Sequence, residues 1–551
     1  MVVLPLSPRE SSRRSKLRLV AGLLPVVLAG CLPVGDSAVP EATRAIEMAE
    51  VFETTEPFSR RTLDPADLVE FFARYPDHQA DSAEVGAFYR RRGMQFAWFV
   101  GDSLSAGADA FLALSGAAEA GAVGADSSLA HLASLLSPPV GEAPSQISCD
   151  SCAVHLELHL TVEFFRFADR HYNGYFRRDL RELGWFIPRA KKDLSRLADS
   201  LAAGTMELAA YEPLHPQYQK LKAHLPSYHA LAEEPWPALA LPGQRSRINP
   251  GDSLAVVAEI RRRLQQLGDL VQADSSGRYD STLVPAVRRF QARHGLSEDG
   301  VIGPAVLRAL NVPPAERLRT MLVNMERLRW VPDEQPPNLL LVNIPEFRLH
   351  VYEGGEEVLG MRVVVGTAAR STVVFADTVS MVVFSPTWTV PREIIEEEIL
   401  PALAADPGYL AKQNMEIIGG TPEQPLIRQR PGANNALGRV KFLFPNSYAI
   451  YMHDTPERQL FARDQRAFSH GCIRLAEPRA LAEYLLRRDA TWTQERMTAA
   501  MQGGTETLVP LADRPPVMIV YFTAWEDRDG RLNFRDDVYG HDQRLAAELF
   551  R

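Results

Sequence analysis

Two short segments in the C-terminal third of the chain combine a thiol with imidazoles. Residues 469–474 are Ser-His-Gly-Cys-Ile-Arg, and residues 451–456 are Tyr-Met-His-Asp-Thr-Pro. A cysteine thiol is only weakly nucleophilic at its ordinary pKa of about 8.5, and a nearby imidazole activates it by accepting its proton. The pattern therefore predicts a nucleophile, Cys472, that is served by a histidine base.

Two other interpretations of Cys472 stay open on the residues alone. Most cysteines are buried and inert, and Cys472, His470 and His453 could together ligate zinc, although no fourth ligand stands at an obvious spacing. Gly471 favours catalysis, because a glycine lets a substrate carbonyl approach the backbone N–H groups of an oxyanion hole. A helix is predicted directly after the loop, over residues 476–488, and its start would add partial positive charge near the thiol.

Composition and charge restrict the class of protein. The chain has 551 residues, of which 46% are apolar and 23% charged, which is typical of folded protein and excludes disorder throughout. At about 150 residues per domain, this length predicts three or four domains. Lys and Arg number 60 against 69 Asp and Glu, a net charge of −9, so no basic field points to nucleic acid as a partner.

The N-terminus predicts export and a lipid anchor. A basic segment, residues 13–18, precedes an apolar run, residues 19–28, that is too short to span a bilayer. The run leads into Leu-Ala-Gly-Cys, which resembles a bacterial lipobox and implies cleavage before Cys31 and lipidation of its thiol. A secretory signal with a chance cysteine is the alternative. We expect a periplasmic, membrane-anchored lipoprotein, on the inner or the outer membrane.

The two remaining cysteines, Cys149 and Cys152, stand close together in the sequence. In an oxidising compartment this spacing predicts a disulfide. A metal site is the minor alternative, because His155 and His159 lie nearby at helical spacing. A redox-active pair would follow a strand in a βαβ unit, which the surrounding pattern does not indicate.

Periodicity divides the chain into segments and predicts a multi-domain α+β fold. Apolar residues recur at helical spacing up to about residue 245, and alternating or continuous apolar runs begin at about residue 338. In chain order, the predicted segments are a lipoprotein-type signal peptide (1–30), a tether (31–60), a helical scaffold domain (61–245), a three-helix module (246–313), a connecting helix (314–335) and a mainly β catalytic domain (336–551).

The three-helix module resembles the peptidoglycan-binding domain of cell-wall enzymes. The resemblance rests on Asp280, Phe290-Gln291, His294-Gly295-Leu296, Asp299-Gly300, Ile302-Gly303-Pro304 and Leu310-Asn311. A plain three-helix bundle is the alternative. The resemblance implies that residues 246–313 bind peptidoglycan.

The catalytic region resembles the YkuD-type L,D-transpeptidases through His453 and the segment 469–474. Further matching segments are 343–345, 365–366, 385–391, 431–432 and 435–439, and segments 521–525 and 537–542 match the large multi-domain YcbB-like branch. The resemblance implies a mainly β YkuD-like domain with a helical capping insertion at about 392–435. One departure is that Val373 follows Thr372 where the family often has Thr-Pro, in a turn expected to lie away from the Cys–His pair.

The resemblance also implies roles for the central residues. Cys472 would be the acylated nucleophile. His453 would be the general base and later acid, oriented by the backbone carbonyl of Asp454. Backbone N–H groups around Gly471 and Cys472 would form the oxyanion hole with the Tyr451 hydroxyl.

Further residues are expected around this centre. His470 would shape the site beside the thiol, and Ser469 and Arg474 would brace the loop or contact substrate. Residues implied along the substrate cleft are Trp388, Asn435 with Asn434, and Arg439. Structural roles remain open for several of them: an ion pair for Arg474, core packing for Trp388, and a turn for Asn434, Asn435 and Arg439.

The implied reaction is 3→3 cross-linking of peptidoglycan stem peptides through a thioester on Cys472. The donor would be a tetrapeptide stem and the acceptor another stem, whereas water would give L,D-carboxypeptidase activity and a free D-amino acid would give exchange. The resemblance implies no metal or organic cofactor, and it implies acylation of Cys472 by carbapenems. The expected partners are peptidoglycan, the membrane through the lipid and other cell-wall synthases, with no nucleic acid. A non-catalytic wall-binding scaffold and a secreted cysteine peptidase are the competing classes.

Overall fold

The structure is a computed structural model of the chain. It describes residues 60–119, 150–176, 178–189, 192–204, 215–243, 245–332 and 335–550. Cys31 and Cys149 lie outside these ranges, so the lipid anchor and the disulfide stay predictions. Among the described residues, no helix combines the length and the hydropathy needed to cross a bilayer.

The N-terminal region is helical, as its periodicity predicts. Its aromatic residues, Phe71, Phe88, Trp98 and Phe164 among them, are buried in one core. The Asp64 side chain accepts a hydrogen bond from the N–H of Ala66 and so caps the first helix. The elements are α1 (Pro65–Arg74), α2 (Ser82–Arg91), β1 (Phe99–Val100), β2 (Ser103–Leu104), α3 (Ala106–Glu119), α4 (Asp150–Ala168), α5 (Leu194–Ala202) and α6 (Pro216–Ala232).

The later part of this helical region packs against the C-terminal domain. Phe176, Trp185 and Leu221 belong to the hydrophobic core that the large β-sheet builds. The N–H of Phe186 donates to the carbonyl of Val374 over 2.8 Å. The described residues from Phe176 to α6 therefore include several that support the sheet directly.

The three-helix module is present where the sequence predicts it. Pro304 begins its third helix, because the fixed φ of proline suits the first helical turn. Its core is separate from those of its neighbours, and a connecting helix leads to the sheet. The helices are α7 (Ala255–Gln266), α8 (Leu283–Arg293), α9 (Pro304–Asn311) and the connecting α10 (Pro314–Leu328).

The C-terminal region is mainly β, which confirms the predicted multi-domain α+β class. Two adjacent glycines between apolar runs predict a hairpin turn, and Gly354 and Gly355, both with positive φ, form that turn between β4 and β5. The strands are β3 (Leu339–Asn343), β4 (Arg348–Glu353), β5 (Glu356–Gly366), β6 (Phe375–Thr378), β7 (Met381–Phe384), β8 (Trp388–Thr389), β9 (Met415–Gly420), β10 (Pro425–Gln429), β11 (Val440–Leu443), β12 (Met452–His453), β13 (Ala467–Ser469), β14 (Ile473–Leu475), β15 (Thr507–Pro510), β16 (Pro516–Val520), β17 (Ala524–Glu526) and β18 (Leu532–Phe534).

Within residues 335–550, one large sheet carries the site. Its strand order is β15-β7-β11-β12-β14-β5-β4-β3-β16-β6, and β13 pairs separately with β5. The short strand β12 lies between β11 and β14, antiparallel to the first and parallel to the second. The late hairpin β17–β18 forms a two-stranded sheet of its own.

The capping insertion contains strands as well as helices. The sequence pattern predicts one strand through residues 378–390, but Ser385 has a φ of +44° and the chain turns there. β7 therefore stays in the large sheet, while β8 pairs with β10, and β10 with β9, in a separate sheet of the cap. The cap helices are α11 (Arg392–Ile394), a π-helical turn (Ile395–Ile399), α12 (Leu400–Ala405) and α13 (Tyr409–Lys412), and the remaining helices of the domain are α14 (Pro478–Leu486), α15 (Gln494–Gln502) and α16 (His541–Leu549).

Candidate active site

The nucleophile candidate lies in the tight loop between β13 and β14. The parallel pairing of β12 and β14 sets Met452 opposite Ile473, so Cys472 stands beside the strand that carries His453. The helix predicted after the loop, over residues 476–488, is present as α14 (Pro478–Leu486). β14 lies between Cys472 and this helix, because residues 473–475 pair with the sheet before the chain turns. The N-terminus of α14 therefore stands six residues after Cys472 in the sequence.

His453 is held as a neutral base. Its Nδ1 lies 2.6 Å from the backbone oxygen of Asp454, and since a carbonyl only accepts, Nδ1 carries the proton and Nε2 is left as the acceptor. Burial lowers the pKa of His453 to about 3, and the charges of Arg474 and Lys441 act in the same direction. These two cations stand opposite His453 on the two neighbouring strands. At neutral pH the imidazole is therefore uncharged and able to take a proton.

The Cys472 thiol is protonated at rest. Burial raises its pKa, and a hydrogen bond with Tyr451 and the charge of Arg474 oppose this only in part. The Sγ atom lies 3.7 Å from the carbonyl oxygen of Ala449, to which the thiol donates. A protonated thiol beside a neutral imidazole makes proton transfer part of the attack, since neither group is pre-ionised.

Tyr451 supplies a neutral hydroxyl at the thiol. Burial, and then the negative charge that Cys472 can carry, raise the pKa of Tyr451, so the phenol keeps its proton. The Cys472 and Trp388 side chains lie close enough to the Tyr451 hydroxyl to change its pKa, which Cys472 raises and Trp388 lowers. Trp388 is half-buried on β8 of the cap and packs against the cap core. Trp388 therefore brings the cap to the hydroxyl beside Cys472.

Ser469 and Gly471 shape the loop around the thiol. The buried Ser469 hydroxyl donates to the carbonyl oxygen of Cys472 over 2.5 Å and accepts the N–H of Gly471 over 3.2 Å. Gly471 has a φ of +113°, a region that favours glycine. The prediction gave the Gly471 N–H to the oxyanion hole, but Ser469 already binds it. Among the described residues of the loop and of β12, the Cys472 N–H and the Tyr451 hydroxyl remain the expected donors to an oxyanion.

His470 faces the cap and is exposed. Its Nε2 lies 3.2 Å from Glu398 Oε1 in the π-helical turn of the cap. A second ion pair joins Arg370, in the turn after β5, to Glu397 of the same cap element. Both contacts bring acidic cap residues to the rim of the nucleophile loop.

Arg474 interacts with other residues of the protein. Its guanidinium forms an ion pair with Glu457, and its side chain is 18% exposed. Its charge lowers the pKa of His453 and also that of Cys472. The structure thus shows the ion pair that the sequence left open.

Asn435 and Arg439 bind the backbone of the protein itself, which is the turn role that the sequence left open, and their contact with substrate stays a prediction. The Asn435 amide is buried and donates to the carbonyls of Pro386, at 3.2 Å, and Arg430, at 3.0 Å. Arg439 donates from Nη1 to the Met501 carbonyl and from its backbone N–H to the Asp454 carboxylate. The backbone polar groups of the cap turn and of the strand ends need these donors, so both side chains stabilise the turn. Asn434 is exposed on the same turn.

Sequence reasoning missed Thr372. The turn that carries it was expected to lie away from the Cys–His pair, and this prediction is wrong. The Thr372 hydroxyl is buried, donates to the Gly471 carbonyl over 2.8 Å and accepts the Gly366 N–H over 2.9 Å. No local pattern indicates the contact. Residues 366–372 and 469–472 are far apart in the sequence, and the pairing of β5 with β13 brings them together.

The described residues offer no metal site. Within them, no group of three or more His, Cys, Asp and Glu side chains could hold a metal ion. His155 and His159 pack against aromatic rings, with the His159 ring 4.8 Å from Phe71 and 4.5 Å from Tyr75. Cys152 is exposed on α4.

Comparison with protein families finds three matching models. They describe an L,D-transpeptidase catalytic domain of the YkuD type over residues 337–506, a putative peptidoglycan binding domain over 253–310 and a scaffold domain over 83–225. The first model covers the sheet with Cys472 and His453, and the second covers the three-helix module.

A curated relative carries a related description. A protein of Haemophilus influenzae described as a putative L,D-transpeptidase is 37% identical over 246 residues, which is 42% of this chain and 49% of that protein. The match thus spans about half the length of the relative.

Solved structures give distant matches. An L,D-transpeptidase from Stackebrandtia nassauensis is 14% identical, with 51% of this chain and 97% of that chain covered and a TM-score of 0.22. An L,D-transpeptidase from Mycobacterium smegmatis is 16% identical, with 33% and 58% covered and a TM-score of 0.19.

Proposed function

We propose that this chain, which belongs to the YkuD-type L,D-transpeptidase family in its multi-domain, peptidoglycan-binding branch, is a cysteine-dependent enzyme that forms 3→3 cross-links between peptidoglycan stem peptides. One observation carries the proposal. A neutral imidazole, fixed at Nδ1 by the Asp454 carbonyl, stands on the strand beside a protonated thiol that also contacts a neutral tyrosine hydroxyl. Base, nucleophile and oxyanion donor are the three groups that acyl transfer requires.

The first half-reaction acylates Cys472. As the sulfur attacks the carbonyl carbon of the third residue of a tetrapeptide stem, Nε2 of His453 takes the thiol proton. A C–S bond forms and the carbonyl π electrons move to oxygen. The resulting oxyanion is held by the Cys472 N–H and the Tyr451 hydroxyl.

Collapse of the tetrahedral intermediate releases the terminal D-Ala. The carbonyl re-forms, the C–N bond breaks, and His453 returns its proton to the leaving amine. A thioester remains on Cys472. Because burial and two neighbouring cations lower the pKa of His453 to about 3, its protonated form is a strong acid that gives up the proton readily.

The second half-reaction transfers the acyl group. The side-chain amine of another stem attacks the thioester, loses a proton to His453 and releases the thiol. Water in place of the amine would give L,D-carboxypeptidase activity, and a free D-amino acid would give exchange. The same residues serve all three acceptors.

The regions outside the catalytic domain would place the enzyme close to its substrate. The peptidoglycan-binding module would raise the local concentration of stems by tethering the enzyme to its polymer. Lipidation at Cys31 would hold the chain on the periplasmic side of a membrane, beside the synthases that build the donor. Carbapenems would acylate Cys472 as substrate mimics.

The test is acyl transfer by the purified full chain. With tetrapeptide muropeptides we expect D-Ala and a cross-linked dimer, and with a carbapenem we expect one covalent adduct by intact mass. Cys472→Ala should remove both. Ser227→Ala is the control, because that hydroxyl is exposed on α6, outside the catalytic domain, and donates to the His224 carbonyl of its own helix, so the variant should keep both.

Three outcomes would contradict the proposal. An adduct that survives Cys472→Ala would refute the nucleophile. Binding to peptidoglycan without turnover by the wild type would favour a wall-binding scaffold. Cleavage of ordinary L-peptides would favour a cysteine peptidase.

A further inference from the structure

The C-terminal end of the chain reaches the nucleophile loop through hydrogen bonds. Tyr539 lies beyond residues 337–506, the segment that the catalytic-domain model matches. Its hydroxyl donates to the Gly366 carbonyl over 2.7 Å and accepts the Thr372 N–H over 3.3 Å. Tyr539 thus binds both ends of the turn from Gly366 to Thr372.

Thr372 carries this contact onward to the nucleophile loop. The residue is 1% exposed, and its hydroxyl bridges two backbone groups, the N–H of Gly366 and the carbonyl of Gly471. A hydroxyl has one proton, and here it goes to Gly471, since the Gly366 N–H can only donate. The direction of the bond is therefore fixed.

The bond to Gly471 sets the direction of the Cys472 N–H. The Gly471 carbonyl and the Cys472 N–H belong to one planar trans peptide, in which the two groups point in opposite directions. When Thr372 holds the carbonyl oxygen on its own side, the N–H must point to the other side. The Cys472 N–H is one of the two expected donors to an oxyanion.

The turn and the loop pack without spare room. A Cβ atom placed on Gly366 would lie 2.1 Å from the Arg370 carbonyl oxygen and 3.0 Å from the Gly471 Cα. Gly366 also stands opposite Ser469 in the pairing of β5 with β13. Thr372 binds the peptide that joins Gly471 to Cys472, and Ser469 binds the two flanking peptides through the Gly471 N–H and the Cys472 carbonyl.

We propose that Thr372 is a positioning residue of the oxyanion hole, which aims the Cys472 N–H through the Gly471 carbonyl, and that Tyr539 of the C-terminal segment holds Thr372 in place. The inference rests on the proposed acyl-transfer function of Cys472. It assigns to residues 537–541 a part in catalysis that lies outside the sheet with the nucleophile.

Tyr539 is itself fixed by its neighbours. Its N–H donates to the Tyr521 hydroxyl over 2.8 Å, and that hydroxyl donates to Asp537 over 2.7 Å. Burial raises the pKa of Tyr539 to about 12, so its hydroxyl keeps the proton that it gives to Gly366.

The test compares two reactions of the same sulfur in the full chain. Acylation by p-nitrophenyl acetate passes through an oxyanion, whereas alkylation by iodoacetamide needs the thiolate and forms no oxyanion. Removing one oxyanion-hole donor outright costs about 10²- to 10³-fold, so we expect misdirection of the N–H in Thr372→Val to slow acylation about 10- to 100-fold. Alkylation should keep its wild-type rate and pH profile.

Further variants separate positioning from folding. Thr372→Ser keeps the hydroxyl and should restore acylation. Tyr539→Phe should slow acylation less than Thr372→Val and should also leave alkylation unchanged. Thr320→Val on α10 is the matched control, since its hydroxyl contacts only the Glu316 carbonyl of its own helix, and both rates should match the wild type.

Either of two results would overturn the inference: unchanged acylation in Thr372→Val, or an equal loss of acylation and alkylation, which would mean that the loop has merely collapsed. The proposed function is tested apart from this. The ester needs no stem peptide, so failure with muropeptides while the ester still acylates Cys472 would refute the transpeptidase and leave the positioning role standing.

Discussion

Two histidines of one sheet, His453, which is buried, and His350, which is largely buried, have opposite pKa shifts. His453 on β12 has a pKa of about 3, and His350 on β4 has a pKa of about 9. Burial lowers the pKa of both, because it disfavours the charged imidazolium. The environment of each ring therefore decides the difference.

The surroundings of the two rings differ in the sign of their charge. His453 has a backbone carbonyl at Nδ1 and cations, Arg474 and Lys441, opposite it on both neighbouring strands. His350 has carboxylates at both nitrogens, with Glu346 3.0 Å from Nε2 and Glu357 3.1 Å from Nδ1. One ring is kept neutral for proton transfer, and the other is kept charged as part of an ion pair.

The largest effect should come from removing the neutral ring. His453→Gln deletes the base, and we expect acylation of Cys472 by a carbapenem to fall about 10²- to 10⁴-fold, the usual worth of general base catalysis. Stopped-flow absorbance of the β-lactam measures the rate. His350→Gln is the matched control and should keep the rate of the folded protein. Equal losses in the two variants would mean that the comparison does not separate catalysis from structure.

The charged ring of His350 should stabilise the fold through its ion pair with Glu346. Glu346→Gln leaves a largely buried imidazolium with only Glu357, and we expect the free energy of unfolding to fall by about 1 to 3 kcal/mol at pH 6, as for a partly compensated buried charge. Urea denaturation measures it. Glu356→Gln is the control, because this side chain is 82% exposed and its pair with Arg528 should contribute about 0 to 1 kcal/mol. Similar losses in both variants would contradict the assignment.

The stability difference between wild type and Glu346→Gln should depend on pH. The pKa of His350 is raised from 6.5 to about 9, so its contribution is complete below 6.5 and is lost as the pH rises through 9. The pKa of Glu346 is lowered from 4.5 to about 2, so its contribution is complete above 4.5 and is lost as the pH falls through 2. The difference should therefore peak between pH 4.5 and 6.5, and a constant difference from pH 3 to 9 would contradict the pairing.

The contribution of His453 to the free energy of unfolding should depend on pH in the opposite direction to that of His350. Its folded pKa of about 3 lies below the ordinary 6.5, so its neutral form stabilises the fold above pH 6.5 and this contribution is lost as the pH falls toward 3. His453→Gln should make the protein less sensitive to acid over that range, by urea denaturation at a series of pH values. Unchanged acid sensitivity would mean that the ring is not held neutral.

The two histidines also differ in how well the sequence predicts their surroundings. The spacing of His453 and the 469–474 segment predicts a thiol–imidazole pair, because nucleophile and base lie in short loops that flank strands. Glu346 and His350 give no such signal, since Glu346 lies in a turn and its partner on a strand. Their contact depends on the β3–β4 turn, which sequence spacing does not fix.

The sequence predicts the fold best in segments where apolar residues recur at regular spacing over many residues. The module helices and the β4–β5 hairpin follow from apolar spacing and from two adjacent glycines. The break at Ser385 does not, because a single residue with positive φ sends a continuous apolar run into two sheets. Thr372 was misplaced for a related reason: its hydroxyl binds the backbone of a distant segment, and such a contact leaves no pattern in the local sequence. Asn435 has the turn role that the sequence left open beside a substrate contact.

The smallest expected effect comes from the field around His453. Arg474 lowers the pKa of His453, so Arg474→Gln should raise that pKa and move the acid limb of the acylation rate to higher pH. Since Glu457 already neutralises part of its charge, we expect a change of about 1 kcal/mol, or roughly fivefold in rate on the acid side. Arg474→Lys keeps the charge and should restore the wild-type limb, whereas Arg479→Gln, whose exposed guanidinium pairs with Glu483 on α14, should not move it. If the acid limb stays in place in Arg474→Gln, burial alone keeps His453 neutral. The difference in pKa between the two histidines would then come from the carboxylates beside His350 and not from the cations beside His453.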